Sequence, residues 1–340
     1  MEITAIGIDL AKNVFQVHGV NSQGKGILKK RLSRVQVVPF VANLKPCLIG
    51  MEACGGAQFW AREFVKLGHQ VRLIAPQFVK PFVKSNKNDA ADAEAICEAL
   101  LRPNMRFVAP KSIEQQDIQT LHRIRSRFVG NRTSLTNEIR GLLAEYGIVL
   151  PQGINFVRKN LLQTVETAQE QGRISENGKT LFSLLFQELK GIDEKIEEMN
   201  RKIELTHRSI EACQRLSGIP GVGKITATAV VAAVGDPAVF KNGRAFSAWI
   251  GLVPRQHSSG GKERLLGISK RGDVYLRTLF IHGARAFIRY LDRQPESNNK
   301  QWLMKLVERR GKTRAIVALA NKNARRAWVL LARQEEFKAA

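Results

Sequence analysis

Acidic residues are the minority charge in this sequence. Asp and Glu number 30 against 54 Lys and Arg, a net charge of +24 over 340 residues. A balance this basic argues against a cationic partner and points to a polyanion, with nucleic acid the first candidate. Cysteine is also sparse. The four thiols, Cys47, Cys54, Cys97 and Cys213, are scattered with no C-x-x-C pair. That spacing excludes a thiolate zinc site and suits reduced thiols in a cytosolic protein. Met1-Glu2-Ile3-Thr4 lacks a basic stretch followed by an apolar core, so no signal peptide is expected. The longest apolar run, Ile225 to Val234, is too short to span a bilayer. No lipidation signal is present either, so no membrane role is expected. An ATP site is missing too: Gly221-Val222-Gly223-Lys224 is followed by Ile225, where a P-loop needs Ser or Thr.

The excess positive charge is unevenly spread. Residues 209–340 carry 24 basic and 9 acidic side chains, against 15 and 8 in 1–110 and 15 and 13 in 111–208. The main polyanion contact is therefore expected in the last third. The first third reads as strands over Ile3–Asp9, Asn13–Val20 and Gly26–Leu32, then a helix over Val35–Leu44 that Pro39 weakens. A strand at Cys47–Ala53, a helix at Ala57–Leu67, a strand at Val71–Ala75 and a helix from about Asn88 to Leu101 follow. Three meandering strands followed by α/β alternation predict a mixed sheet with helices packed on it.

Carboxylates fall at unusual places in that pattern. Asp9 and Glu52 each end an apolar strand, where acids are disfavoured. Asp89 and Asp92 sit three apart at a helix start and share one face. Singly, each is explained by a turn, a cap or the helix dipole. Together they suggest one acidic site, provided the two strands are neighbours. Clustered carboxylates repel unless a cation neutralises them, and hard oxygen donors select Mg²⁺ or Mn²⁺. Two such ions about 4 Å apart serve phosphoryl chemistry.

The middle third is helical. Leu121, Phe128, Leu135 and Leu142 recur every seven residues, and Leu185, Leu189, Ile192, Ile196, Met199 and Ile203 alternate by four and three. That is a coiled-coil pattern, compatible with a helical hairpin or an oligomer seam. Arg123, Arg125, Arg127, Arg132 and Arg140 give the first helix a basic face, solvated or facing nucleic acid. Pro151 to Lys179, rich in Gln, Asn and Gly, reads as a loop with a weak helix. The stretch Gly218-Ile219-Pro220-Gly221-Val222-Gly223-Lys224 before a small-residue helix resembles a helix-hairpin-helix element, which grips a nucleic-acid backbone through its amides. Beyond it, Gly251-Leu252-Val253-Pro254-Arg255 opens a long polar loop reaching Asp273. Its serines are flanked by glycines and ringed by Arg255, Lys262, Arg264, Lys270 and Arg271, which suits either a flexible basic loop or a phosphate-facing nucleophile. Helices are expected at about Val274–Leu291, Lys300–Arg309 and Lys312–Ala332, the last with a basic face.

These residues carry a resemblance that spans nearly the whole chain. Gly7-Ile8-Asp9-Leu10-Ala11-Lys12, Met51-Glu52-Ala53 and Lys87-Asn88-Asp89-Ala90-Ala91-Asp92 are similar to the RuvC-like pattern of DEDD transposases. The family is the bacterial insertion-sequence one-ten family, related to the Piv DNA invertases. Gly218 to Gly223 and Gly251 to Arg255 resemble its C-terminal transposase domain. The resemblance implies an α/β plus α architecture. A ribonuclease-H-like domain would cover 1–110, a helical coiled-coil region 111–208, and a mainly helical domain with a helix-hairpin-helix and a serine loop 209–340. It implies a metal-binding tetrad of Asp9, Glu52, Asp89 and Asp92, and a serine nucleophile at Ser259 with Ser258 as the adjacent alternative. It also implies donor and target DNA as substrates, an element-encoded bridge RNA as guide, and homodimers or homotetramers in which metal site and serine come from different subunits. The location would be the bacterial cytoplasm, at the nucleoid. Nucleic-acid contacts are expected at Gly221, Gly223, Lys224, Arg255, Lys262, Lys270 and Arg271. Two other readings compete: a metal-dependent Holliday-junction resolvase or nuclease without a covalent intermediate, and a nucleic-acid-binding protein without catalysis.

Overall fold

Short runs of alternating Ile, Val and Gly build the N-terminal sheet. A computed structural model describes residues 2–83 and 89–337. It separates into two compact units, Met1–Gln115 with Val234–Lys241, and Gln116–Ala233 with Asn242–Ala340.

The first unit is a mixed α/β layer. Its strands are β1 (Ala5–Asp9), β2 (Val14–Val20), β3 (Gly26–Ser33), β4 (Leu48–Glu52), β5 (Gln70–Ile74) and β6 (Phe107–Val108). They lie in the order β3-β2-β1-β4-β5-β6. β1, β4 and β5 run parallel, while β2, β3 and β6 are antiparallel to their neighbours. Helices α1 (Arg34–Ala42), α2 (Ala57–Lys66), α3 (Pro76–Val79) and α4 (Asp89–Leu100) connect them. Ile6, Ile8, Phe15, Ile49 and Met51 form one buried cluster with Trp60 and Phe64 of α2. A second cluster gathers Ile74 and Val79 with Ala95, Ile96 and Ala99 of α4. Pro39 lies inside α1 and cannot donate to the turn before it. The helix persists because Val37 and Val41 are buried against the sheet. The two-residue strand β6 and the single turn α3 are too short to leave a periodic signal.

The packing of α4 depends on two glycines. Gly7 of β1 and Gly50 of β4 are register partners. A Cβ at Gly7 would stand 2.3 Å from the Ala93 carbonyl and 2.6 Å from the Cys97 amide, and one at Gly50 would meet Leu100 at 2.9 Å. Side chains at these positions would lift α4 off the sheet.

The second unit is mainly helical. It holds α5 (Ile113–Glu145), which begins in the first unit, α6 (Ile154–Glu170), α7 (Glu176–Ser209), α8 (Glu211–Ser217) and α9 (Lys224–Val234). After these come α10 (Gly243–Trp249), the antiparallel pair β7 (Pro254–Gln256) and β8 (Leu265–Ile268), then α11 (Val274–Arg289), α12 (Asn298–Arg310) and α13 (Lys312–Arg333). Leu135, Ile139 and Leu143 of α5, Val157, Leu161 and Val165 of α6, and Leu189, Ile192 and Ile196 of α7 form one core. The heptad residues of α7 are thus covered within the chain.

Two sequence expectations change here. The stretch read as a loop with a weak helix contains the full helix α6. Val157, Leu161, Val165 and Ala168 make a buried stripe that its Gln, Asn and Thr residues obscured. The long polar loop after Arg255 is a β-hairpin whose two short, largely exposed strands show no apolar alternation. The basic face of α5 is also partly consumed internally. Arg132 and Arg158 both bond Asp193, and Arg125 donates to Asn200 at 2.7 Å.

Candidate active site

The acids of the first unit sit where parallel strands end. Ile8 pairs with Met51 in the β1–β4 ladder, so Asp9 and Glu52 follow as neighbours at the same edge of the sheet. Asp92 is one residue before Ala93, whose carbonyl faces Gly7. The Glu52 carboxyl is held above the usual carboxylate range, first by burial and then by the charges of Asp9 and Asp92. The three groups therefore share one field. The Asp89 side chain lies outside the described residues, although its backbone begins α4. Cys54 adjoins the site, and burial followed by Glu52 pushes its thiol up.

The donor set of Asp9, Glu52 and Asp92 fits a divalent metal ion. Acid oxygens that raise one another's pKa are relieved by a hard cation. Among the described residues, no three His, Cys, Asp or Glu side chains are already gathered into an ion-binding group.

The serine candidate sits in the second unit, at a turn made by sequence. Gly260 and Gly261 have φ of +56° and +76°, the two positive values a type I′ hairpin turn requires. Ser259 and Lys262 flank them, with the Lys262 amide donating to the Ser259 carbonyl at 3.1 Å. Ser258 and Ser259 differ. The Ser258 hydroxyl accepts from the Gln256 side-chain amide at 3.0 Å and lies 3.4 Å from the Arg264 amide. The Ser259 side chain is exposed and makes no hydrogen bond among the described residues. Arg255, Lys262 and Arg264 are exposed along the same hairpin.

The hairpin is fixed at its base. The Ser269 amide donates to Val253 and the Lys270 amide to Gly251. Arg277, only 8% exposed, donates from one nitrogen to the carbonyls of Ile250 and Arg271, at 2.9 Å each. Gly272 has φ +76° and packs so closely that a Cβ would lie 1.7 Å from the Trp249 carbonyl. Asn321 of α13 donates to the Leu252 carbonyl at 3.1 Å and to the Ser247 hydroxyl at 2.8 Å. Lys270 takes the left-handed φ of +55°, and Arg271 is exposed beside it. Sequence reasoning missed Arg277 and Asn321, since a polar residue in a helix reads as surface.

The turn between α8 and α9 carries the other expected contacts. Gly221 has φ +87°, and a Cβ there would meet the Gly283 carbonyl at 2.9 Å. Asn323 pins the turn by donating to the Pro220 carbonyl at 2.7 Å. Nothing crowds Gly223. A groove of about 860 Å³ runs along the turn, lined by Arg125, Ile203, Gly221, Lys224, His282 and Phe287 among others. The Lys224 ammonium pairs with Glu204 at 2.6 Å, so an incoming phosphate would compete with that carboxylate.

Comparison with known proteins fixes the class and then the family. Residues 6–148 match a DEDD sequence family described as "Transposase", and residues 213–301 match "Transposase IS116/IS110/IS902 family". The chain is 50% identical to a "Probable family 20 transposase" of Pseudomonas aeruginosa, over 99% of both chains. It is also 50% identical to the "Transposase for insertion sequence element IS1111A" of Coxiella burnetii, over 99% of this chain and 92% of that one. A more distant relative, at 26% identity over 94% of this chain and 92% of its own, is the "Pilin gene-inverting protein" of Moraxella bovis. The fold and these matches define an enzyme of DNA strand transfer. The chain belongs to the IS110-type family of insertion-sequence transposases. No helix among the described residues is long and apolar enough to cross a membrane.

Proposed function

We propose that this transposase cuts and rejoins DNA through a covalent phosphoserine at Ser259, assisted by Mg²⁺ or Mn²⁺ at Asp9, Glu52, Asp89 and Asp92. The observation that carries the reading is the contrast between the two serines. Ser258 is engaged within the hairpin, whereas Ser259 presents a hydroxyl with no partner among the described residues, at an exposed glycine turn with Arg255, Lys262 and Arg264 along the same hairpin. A bound divalent ion would supply neutralisation of the charge that builds on the scissile phosphate. The Ser259 oxygen attacks phosphorus as the bond to the 3′ oxygen breaks, the serine proton passing to solvent and the leaving oxygen taking one up. The products are a phosphoserine and a free 3′-hydroxyl. Attack by the 3′-hydroxyl of another strand on the phosphoserine restores the serine and a phosphodiester. Two exchanges of this kind conserve bond energy, so no ATP is needed.

The ribonuclease-H-like unit, residues 1–110, would hold the ion. The coiled-coil region, 111–208, would join protomers into dimers or tetramers, and exposed Leu181, Leu184 and Leu205 on α7 support that role. Residues 209–340 would hold nucleic acid, through a helix-hairpin-helix turn at Gly221, Gly223 and Lys224 and through Arg255, Lys262, Lys270 and Arg271. The substrates would be donor and target DNA, brought together by an element-encoded bridge RNA at the nucleoid in the cytoplasm.

A covalent trapping assay tests the reading. Protein, element RNA, Mg²⁺ and labelled donor DNA are mixed, denatured and resolved on a gel. A denaturation-resistant protein–DNA band is expected, absent in Ser259→Ala and Asp9→Ala. Loss in Ser258→Ala alone moves the nucleophile by one residue. Metal-dependent cleavage without any such band replaces the recombinase with the nuclease or resolvase reading.

A further inference from the structure

Helix α13 carries Lys322, Arg325 and Arg326 at the three- and four-residue spacings of one face. None of the three pairs with a carboxylate among the described residues, whereas Arg132, Arg158 and Lys300 each do. Instead the side-chain carbonyl of Asn299 accepts from Lys322 at 3.0 Å and from Arg326 at 3.4 Å. Two charges thus share a single neutral acceptor. The Nε of Arg325 and Nη1 of Arg326 are buried without an acceptor among the described residues. Burial, then the charges of Arg326 and Arg325, pull the Lys322 pKa down, and burial followed by Arg325 does the same to Arg326. Asn299 stands in the first turn of α12, which has no acid there, so the helix dipole adds to the positive field. The Lys322 ammonium lies 4.2 Å over the Trp302 ring, and the Arg326 guanidinium 5.2 Å over that of Phe337.

Unsatisfied donors and uncompensated charge at one place describe a site lacking its anion. We propose that Lys322, Arg325 and Arg326 form a phosphate clamp for a nucleic-acid backbone, in which a phosphate oxygen takes the place of the Asn299 carbonyl. The proposal rests on the reading that this transposase holds nucleic acid in its C-terminal region. Two features favour a polymer over a free anion. Trp302 offers an aromatic ring to a sugar or base once the Lys322 ammonium above it turns to a phosphate. Asn321, the residue before Lys322, holds the base of the Ser259 hairpin. A backbone seated in the clamp is therefore registered on the same helix that sets the hairpin.

Asn299→Asp tests this, because it supplies the missing counter-charge in place. Binding of a random-sequence DNA duplex and of a structured RNA of similar length is followed by fluorescence anisotropy across a salt series, alongside thermal melting. The clamp predicts that Asn299→Asp melts no lower than wild type yet binds about ten-fold more weakly. The slope of log K against log salt should shrink by about one to two, as befits lost phosphate contacts. Lys322→Gln with Arg326→Gln should weaken binding in the same way. Should that double variant fail to fold, Asn299→Asp, which adds ion pairing, still decides. Weakening on duplex alone assigns the clamp to DNA, and on RNA alone to RNA. Unchanged affinity and slope in Asn299→Asp, with wild type binding, overturns the clamp and leaves the wider reading standing. A wild type that binds neither polymer removes the nucleic-acid reading and the clamp with it.

Discussion

The acids and the serine are held by opposite means. Asp9 and Glu52 finish buried parallel strands, and α4 is seated against them by two glycines that leave no slack. Ser259 stands on an exposed turn, far along a hairpin whose base is anchored by Arg277. An ion-binding group needs its oxygens placed within fractions of an ångström, which rigid elements supply. A nucleophile of the kind proposed for Ser259, meeting a phosphate on a large polymer, would need reach and exposure instead. The comparison suggests that substitutions which disturb packing will act on the acids, and substitutions which disturb backbone anchoring will act on the serine.

The strongest test of that division removes the chemistry itself. Ser259→Ala and Asp9→Ala should each lower strand transfer at least about a thousand-fold, with melting temperature nearly unchanged. Equal losses in the two variants, measured by in vitro strand exchange, would indicate that acids and serine act as one unit. Gly7→Val comes next. Its side chain meets the Ala93 carbonyl and Cys97 amide, so the N-terminal unit should lose about 3 kcal/mol or more in urea unfolding. Activity should fall as α4 and Asp92 shift. A stable, active Gly7→Val would show that the acids do not depend on this close packing.

Arg277→Met tests the other half. One buried and one part-buried carbonyl lose their donor, which costs about 1–3 kcal/mol. Covalent adduct formation should drop while acid-dependent metal binding, followed by calorimetry, is unaffected. His122 should add a pH effect of similar size in the second unit. His122 is 3% exposed, and burial followed by the Arg125 charge brings its pKa down to about 4. The Tyr275 and Thr228 hydroxyls lie 3.0 Å from its two ring nitrogens. The unfolded chain takes up the proton near the ordinary value of 6.5, so stability is full above that pH and declines as pH falls toward 4. At pH 5 the loss should be about 2 kcal/mol relative to pH 7, and His122→Gln should flatten it in urea melts. The smallest effect is expected at the hairpin tip. Gly260→Asn should be nearly neutral, because Asn tolerates the first position of a type I′ turn, whereas Gly260→Val should cost about 1–2 kcal/mol of local order, seen by proteolysis of the hairpin.

Much of the first unit was legible in the sequence, because its strands are apolar and its turns marked. The neighbourhood of Asp9 and Glu52 required only that β1 and β4 pair, and they do. The seat of α4 was not legible, since it depends on Gly7 meeting Gly50 across strands that lie far apart in the chain. In the second unit, α6 was obscured by its polar outer face, and β7 and β8 are short, exposed and without alternation. Arg277 stayed hidden because its partners are carbonyls, which carry no residue-type signature.

The bonds that hold the hairpin's base run to the carbonyls of Ile250, Gly251, Leu252, Val253 and Arg271 and to the Ser247 hydroxyl, and among the described residues none of them reads a side chain between β7 and β8. The stem works as a socket. Insertion-sequence copies are therefore free to diversify the strands and tip around the serine while inheriting the same mount, and a grafted hairpin from a distant relative should seat in this chain without redesign of the helices beneath it.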